Sequence, residues 1–396
     1  MSSPKPVPLA PPQSPSLALR TTSSMIMGLT GILSRSVLYG LNTVEVTGLQ
    51  GFLNVLDSRR DPEKRQRGLI TVSNHVSVLD DPLVWGLLPL SYAFNPSNLR
   101  WTLGAHDICF KNKFLTNFFT CGQVLPAHRL KYSPHGGLFQ SSLTQAIRLL
   151  SGQPYSTVID TNNHHRHHAQ TRTTTPPDIP DPFTAGSLTY TTNGIDVVPS
   201  PSVYPSNRRS WVHVFPEGLV HQHPAVDLRY FKWGVARLIL ESEPAPDVLP
   251  MFIDGTQHMM PEFREWPRFL PRFGKHVHVA FGNVIDYDAA FGDLRRRWQA
   301  LVRKSNAAAA RAAAKGDSVV TMMGELPEDL KYGREANEIR IEVARRMREE
   351  VLKVRKSLGR YPDPDPALGV AETWAVDRRG ERKYKSRVDG SEINQD

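Results

Sequence analysis

The stretch Asn74-His75-Val76-Ser77-Val78-Leu79-Asp80-Asp81-Pro82 holds an imidazole and a carboxylate five residues apart. On one continuous helix that spacing would separate them by about 140°. If His75 lies in a turn and Asp80 at a helix entrance, the carboxylate can instead fold back onto the ring. Such a pair makes a general base. Asp80 accepts the proton on one ring nitrogen, fixes the tautomer and stabilises the imidazolium, and the other nitrogen of His75 takes a proton from an attacking hydroxyl. A positioned base of this kind is worth about 10²–10⁴ in rate. Alone, the spacing is weak, and a surface histidine beside a helix cap is its commoner explanation. Two other segments carry chemistry. Phe215-Pro216-Glu217-Gly218 follows an apolar run and places a carboxylate at a sheet edge, where ligands gather in α/β proteins, although a plain β-turn has the same residues. Gly122–Arg129, GQVLPAHR, ends in a guanidinium suited to bidentate pairing with a phosphate.

These residues need strands to present them and helices to cover the strands. Short apolar runs at Gly68–Ser73, Gly122–Pro126, Trp211–Phe215, Asp247–Ile253 and His276–Phe281 read as strands. Asp81-Pro82 has the types that open a helix. Leu138–Leu150 carries Leu138, Leu143, Ile147 and Leu150 at helical spacing, Tyr230–Glu241 reads as a helix, and Asn337–Leu358 has a stripe of Ala344, Met347, Val351, Val354 and Leu358 between charges. Strands alternating with helices give an α/β core. Around it, residues 1–24 read as a disordered arm, 25–150 and 209–302 as the two parts of one domain, and 151–208 as a low-complexity insertion. Residues 303–335 read as an irregular insertion, 336–358 as a C-terminal helix and 359–396 as a loose tail. His164, His165, His167 and His168 fall in the first insertion, where a solvated polar run explains them better than a metal site.

The 396 residues include 48 Lys+Arg against 39 Asp+Glu, a formal charge of +9, which suggests an anionic partner. No zinc finger, RNA-recognition signature or basic helix–turn–helix is evident, so nucleic acid is not expected. Two cysteines, Cys109 and Cys121, exclude a disulfide scaffold and a zinc ribbon. No P-loop or G-x-G-x-x-G fingerprint is evident, and neither a cofactor nor a metal is expected. Met25–Leu41 is apolar but carries Arg35, Gly28, Gly31 and Gly40. It reads as a bilayer-interface segment with Arg35 reaching the headgroups, in place of a spanning helix. Met1–Val44 lacks acidic residues and holds Lys5, Arg20 and Arg35, an organelle-targeting bias.

Taken in order, these segments resemble the glycerolipid acyltransferase family. NHVSVLD matches its His-x₄-Asp block, GQVLPAHR its arginine block, FPEG its third, and VLPMF at Val248–Phe252 its fourth. Ile70–His75, Asp80-Asp81-Pro82, Arg100-Trp101-Thr102, Asp107-Ile108-Cys109-Phe110, Val212–Gly218, Phe231-Lys232-Trp233-Gly234 and Pro271-Arg272-Phe273-Gly274 are similar to a branch of that family that remodels cardiolipin. The resemblance covers roughly Met25–Val302 apart from the insertion.

The resemblance implies a mixed sheet flanked by helices and an O-acyltransferase. His75, oriented by Asp80, would deprotonate a glycerol hydroxyl of a lysophospholipid. Arg129 and Glu217 would hold the acceptor's phosphate and glycerol parts, and Gly218 would allow close backbone approach. The implied donor is another phospholipid, so the exchange runs without coenzyme A, with phosphatidylcholine, cardiolipin and monolysocardiolipin as substrates. An anionic membrane surface, assembly with other mitochondrial membrane proteins, and a peripheral or monotopic place facing the intermembrane space are further implications. Two alternatives share the four blocks: an acyl-CoA-dependent lysophosphatidate-type acyltransferase, and a non-enzymatic membrane-binding scaffold.

Overall fold

The computed structural model describes residues 14–152, 188–264, 266–267, 269–313 and 326–375. The strands are β1 (Thr43–Thr47), β2 (Leu69–Val72), β3 (Trp101–Ala105), β4 (Val124–Ala127), β5 (Thr189–Tyr190), β6 (Val198–Pro199), β7 (Trp211–Val214), β8 (Asp247–Asp254) and β9 (His276–Phe281). Seven of them form one sheet in the order β1-β9-β8-β2-β7-β3-β4. From β8 to β4 all neighbours are parallel, whereas β9 runs antiparallel to β8 and parallel to β1, so the sheet is mixed. β2 lies at its centre, with Leu69 opposite Trp211 on one side and Asp247 on the other. Every residue of β2 and β7 is buried, as expected of parallel strands covered on both faces.

The alternation of the strands assigns those faces. Trp211 and His213 both meet the Trp85 ring edge-on, and Trp211 also meets Phe52 of the helix Leu49–Ser58. The opposite face is covered by the helices Ser141–Leu150, Gly234–Glu241 and Arg334–Ser357, with Tyr287–Ala313 packed behind the last. The expected strands and the α/β class are present. The short strand β3 and the edge strand β1, with alternately exposed residues, join them.

Several expected boundaries differ. The first helix spans Leu17–Leu41, started by the Ser16 side chain accepting from the Leu19 N–H, so it takes in the end of the stretch read as an arm. Among the described residues it is the one helix long and apolar enough to cross a membrane. It lies against the protein instead of standing clear: Met27, Gly28, Ser34 and Leu38 are buried, while Leu17, Met25, Leu29 and Leu33 are exposed. Arg35 does not reach outward. Its guanidinium donates to the carbonyls of Gly86, Leu87 and Leu88 at 3.2–3.4 Å, which satisfies the end of a short helical turn.

Residues 188–208 of the insertion read at 151–208 pack on the core: β5 and β6 form a hairpin, and Ser200 and Ser202 both donate to the buried Gln145 side chain. Residues 153–187, including the histidine tract, lie outside the described residues, as do 1–13, 314–325 and 376–396. The second insertion begins as helix, because the alanine-rich run prolongs Tyr287–Ala313, and Glu328–Tyr332 is helical again. The tail keeps contacts with the core as far as Trp374. Tyr361 donates to Asp254, the Asp365 N–H to Asp227 at 2.9 Å, and Arg229 lies 4.0 Å over the Trp374 ring.

The first helix packs closely on Gly86: a β-carbon there would stand 2.7 Å from the backbone nitrogen of Arg35 and 2.8 Å from Cβ of Ser34. Gly86→Val should therefore lower stability by about 1–3 kcal/mol by forcing the helix outward. Thermal denaturation followed by circular dichroism measures this, and an unchanged midpoint would contradict the packing.

Candidate active site

The parallel strands β2, β7, β3 and β4 end on one edge of the sheet, and each hands over to a loop carrying polar side chains. Ligands of α/β proteins collect at this carboxyl edge. After β2 comes His75, after β7 Glu217 and Gly218, after β3 His106 and Asp107, and after β4 His128 and Arg129.

His75 lies in the loop and Asp80 is the first residue of the helix Asp80–Val84. The loop curls around the carboxylate. Asp80 Oδ2 accepts from His75 Nδ1 at 2.9 Å, from the Val76 N–H at 2.7 Å and from the Ser77 N–H at 2.8 Å, while Oδ1 accepts from the Thr256 hydroxyl. Asp80 is wholly buried, whereas the His75 side chain is 20% exposed. With Nδ1 committed as donor to Asp80, Nε2 of His75 is the basic nitrogen. The ring stacks on Phe215 at 4.3 Å, which fixes its plane. Asn74, just before it, is clamped to β8: its side chain donates to the Ile253 carbonyl and accepts from the Ile253 N–H, both at 2.8 Å.

Behind Phe215 sits His213, fully buried, its Nδ1 2.8 Å from the Thr71 hydroxyl. Burial first, and then the charges of Arg100 and His75, push its pKa down to about 3, against the pull of Asp81. His213 is thus a neutral part of the core under the site.

Glu217 differs from the role expected of it. Its carboxylate is buried and both oxygens are engaged by peptide N–H groups, Oε1 by His75 at 2.9 Å and Oε2 by Arg229 at 3.1 Å. It therefore ties the loop after β2 to the segment 225–229. Burial pushes its pKa up to about 7, against those same two hydrogen bonds. Gly218 has φ +68°, which favours glycine, and a β-carbon there would strike the Lys232 side chain at 2.9–3.0 Å. The close approach that Gly218 allows in this structure is that of Lys232.

Arg129 pairs in a fork with Asp107, Nε to Oδ1 at 3.0 Å and Nη2 to Oδ2, and lies 4.3 Å over the Tyr132 ring. Its remaining nitrogen, Nη1, is free of both oxygens. Lys232 has its pKa lowered by desolvation first, then by the positive charges of Arg229 and Arg129. Lys232, beside Gly218, thus feels two further cations, a setting that suits an anionic group. Lys232, Arg229 and Asp107 were not singled out for roles from the sequence. Phe231-Lys232-Trp233-Gly234 and Asp107-Ile108-Cys109-Phe110 are the sequence signals for Lys232 and Asp107, and Arg229 lies in neither.

A second polar cluster stands at the ends of β3 and β4, where atoms of His106, His128 and Asp196 that can bind a metal lie within 4.8 Å of one another. The sequence gives no sign of it, since Asp196 belongs to a hairpin whose Pro/Thr/Ser-rich composition reads as a low-complexity insertion.

No protein-family model matches the chain. Individual relatives do. It is 34% identical to the tafazzin of Saccharomyces cerevisiae over 352 residues, 86% of this chain and 79% of that protein. It is 29% identical to the tafazzin of Drosophila melanogaster over 287 residues, 72% of this chain and 57% of the fly protein. It is also 31% identical to an N-acylphosphatidylethanolamine synthase of Arabidopsis thaliana over 222 residues, 56% of each chain.

The raised pKa of Glu217 has a thermodynamic consequence. As pH rises from the ordinary carboxyl range through about 7, the unfolded chain ionises this group more readily than the folded one, so its contribution to stability falls across that window. Glu217→Gln removes the titration. Its stability relative to the parent should therefore improve steadily between about pH 5 and pH 8, even if lower at every pH through the lost acceptor. Urea denaturation at several pH values measures the difference; a gap independent of pH would refute the buried, protonatable carboxyl.

Proposed function

We propose that this chain, which belongs to the tafazzin family of acyltransferases, moves a fatty acyl group from one phospholipid to a lysophospholipid, converting monolysocardiolipin to cardiolipin without coenzyme A. The observation that carries the reading is the 2.9 Å contact between His75 Nδ1 and a buried Asp80 carboxylate, with the ring partly exposed at the sheet edge. Nε2 of His75 takes the proton of the acceptor hydroxyl as its oxygen attacks the ester carbonyl of the donor lipid. When the tetrahedral intermediate collapses, the same nitrogen returns that proton to the leaving glycerol oxygen. One ester forms and one breaks, so the exchange is close to balanced and needs no oxidant or activated thioester.

Arg129, Lys232 and Arg229 suit the phosphate groups of the two lipids. Arg129 offers its Nη1 edge while Asp107 holds the other, and Lys232 reaches across Gly218. Glu217 acts as a positioning residue, holding the His75 backbone through its N–H.

The apolar outer face of the helix Leu17–Leu41 supports attachment to a bilayer, with its inner face kept on the protein. A loop with exposed Phe263, Trp266 and Phe269 adds aromatic side chains of the kind that settle at a membrane interface. Both fit a monotopic enzyme on a mitochondrial membrane facing the intermembrane space, where anionic lipid meets the basic chain.

The test uses purified protein, vesicles containing labelled phosphatidylcholine, monolysocardiolipin and unlabelled phosphatidylethanolamine, and no thioester. Label should appear in cardiolipin, and His75→Ala and Asp80→Asn should each lower the rate by about 10²–10⁴ while vesicle sedimentation is unchanged. Transfer that requires added acyl-CoA defeats the donor assignment. Label entering the amine of phosphatidylethanolamine instead would place the chain with the plant relative's named product.

A further inference from the structure

We propose that His106, His128 and Asp196 form a binding site for zinc or a similar divalent transition ion, which pins the β5–β6 hairpin to the sheet beside Arg129. The three residues come from separate elements. His106 opens the short helix after β3, His128 follows β4, and Asp196 sits in the loop between β5 and β6. Ligand atoms of all three lie within 4.8 Å of one another. The His106 and His128 rings stack at 4.1 Å, and His106 Nε2 is 3.8 Å from Asp196 Oδ2. Bonds of about 2.0–2.2 Å to a tetrahedral zinc would bring the donors to roughly 3.3 Å apart, a contraction of about 1.5 Å at most. The hairpin that brings Asp196 is only two residues long in each strand, so it can follow such a movement.

The surroundings are those of a ligand held in place. Asp196 Oδ1 accepts from the Thr191 hydroxyl at 2.8 Å, the Thr192 N–H at 2.6 Å and the Asn193 N–H at 3.3 Å, leaving Oδ2 turned to the histidines. The Thr192 hydroxyl donates to Oδ2 and lies 2.7 Å from His128 Nε2, so it bridges two of the three ligands. Outer contacts of this kind orient the inner donors of metal sites. The backbone of His128 is fixed as well, its N–H donating to the Gln140 side chain at 2.8 Å. Two imidazoles and a carboxylate suit zinc and its neighbours better than magnesium or calcium, which favour oxygen alone. A fourth position remains, and the exposed His135, its ring 5.7 Å from that of His128, stands nearest to fill it.

The location gives the ion its work. His106 directly precedes Asp107 and His128 directly precedes Arg129, so an ion joining the two histidines fixes both ends of the Asp107–Arg129 pair. It would also fasten the end of the long stretch after Leu150 at the carboxyl edge of the sheet.

The experiment titrates the full chain, freed of metal by chelator, with cobalt(II) as a spectroscopic probe and then with zinc. One equivalent of cobalt should bind with the intense visible absorption of a low-coordinate site, and zinc should displace it. His106→Phe keeps the ring stack but removes a donor, and Asp196→Asn keeps the shape. Each should weaken binding at least about 100-fold with the circular dichroism spectrum unchanged. Replacing His164, His165, His167 and His168 together by Gln should leave the tight site intact. If that replacement abolishes binding, or if His106→Phe and Asp196→Asn bind as the parent does, the proposal is overturned. Only weak, octahedral cobalt absorption overturns it too, leaving a hydrogen-bonded clasp.

Discussion

A single buried carboxylate sets the geometry on which the rest of the site depends. Asp80 has no contact with water, so each lone pair must find a donor within the protein. It finds two in the peptide N–H groups of Val76 and Ser77, one in Thr256 and one in His75. The first two force the chain to wrap around the carboxylate, and the wrapping itself carries the imidazole to it. The orientation of the base is therefore a by-product of satisfying a buried anion, with the stack on Phe215 setting the remaining degree of freedom.

The same logic extends outward through Glu217. Its carboxylate joins the His75 backbone to that of Arg229, and the segment 225–229 is in turn gripped by the helix Arg334–Ser357. Arg348 donates to the carbonyls of Leu228 and Arg229 at 2.7 and 2.9 Å, and Arg355 to those of Ala225 and Val226 at 2.9 and 3.2 Å. A loop with no strand of its own thus has its carbonyls satisfied by guanidinium groups. The segment after Gly359 lies over this frame, with Trp374 against Arg229 and His221. The distant C-terminal helix is consequently a part of the architecture that holds the base.

Much of this was legible in the sequence. The buried strands β2, β7, β8 and β9 announce themselves as β-branched or aromatic runs, and the turn residues after β2 and β7 locate the carboxyl edge where His75 and Glu217 stand. What was not legible has physical causes. β1 alternates exposed and half-buried residues at a sheet edge, and β3 contains a glycine, so neither reads as an apolar run. Glu217 in a Pro-Glu-Gly turn looks solvent-facing, because nothing local reveals the two peptide N–H groups that enclose it. Arg348 and Arg355 look like the charged face of an amphipathic helix, although their partners are carbonyls more than a hundred residues away. Lys232 and Asp107 acquire meaning only beside Arg129. The hairpin carrying Asp196 is hidden in a Pro/Thr/Ser-rich stretch whose composition resembles a linker.

The spacing of these contacts also constrains how the protein comes into being. His75 meets Glu217 across 142 residues, Asn74 meets Ile253 across 179, and the segment holding Arg229 waits a further 119 for Arg348. A chain emerging from the ribosome presents β2 long before either flanking strand exists, a bare apolar ribbon open to wrong partners. No early fragment can rehearse the reaction. Competence arrives only when the last long helix has closed over the sheet.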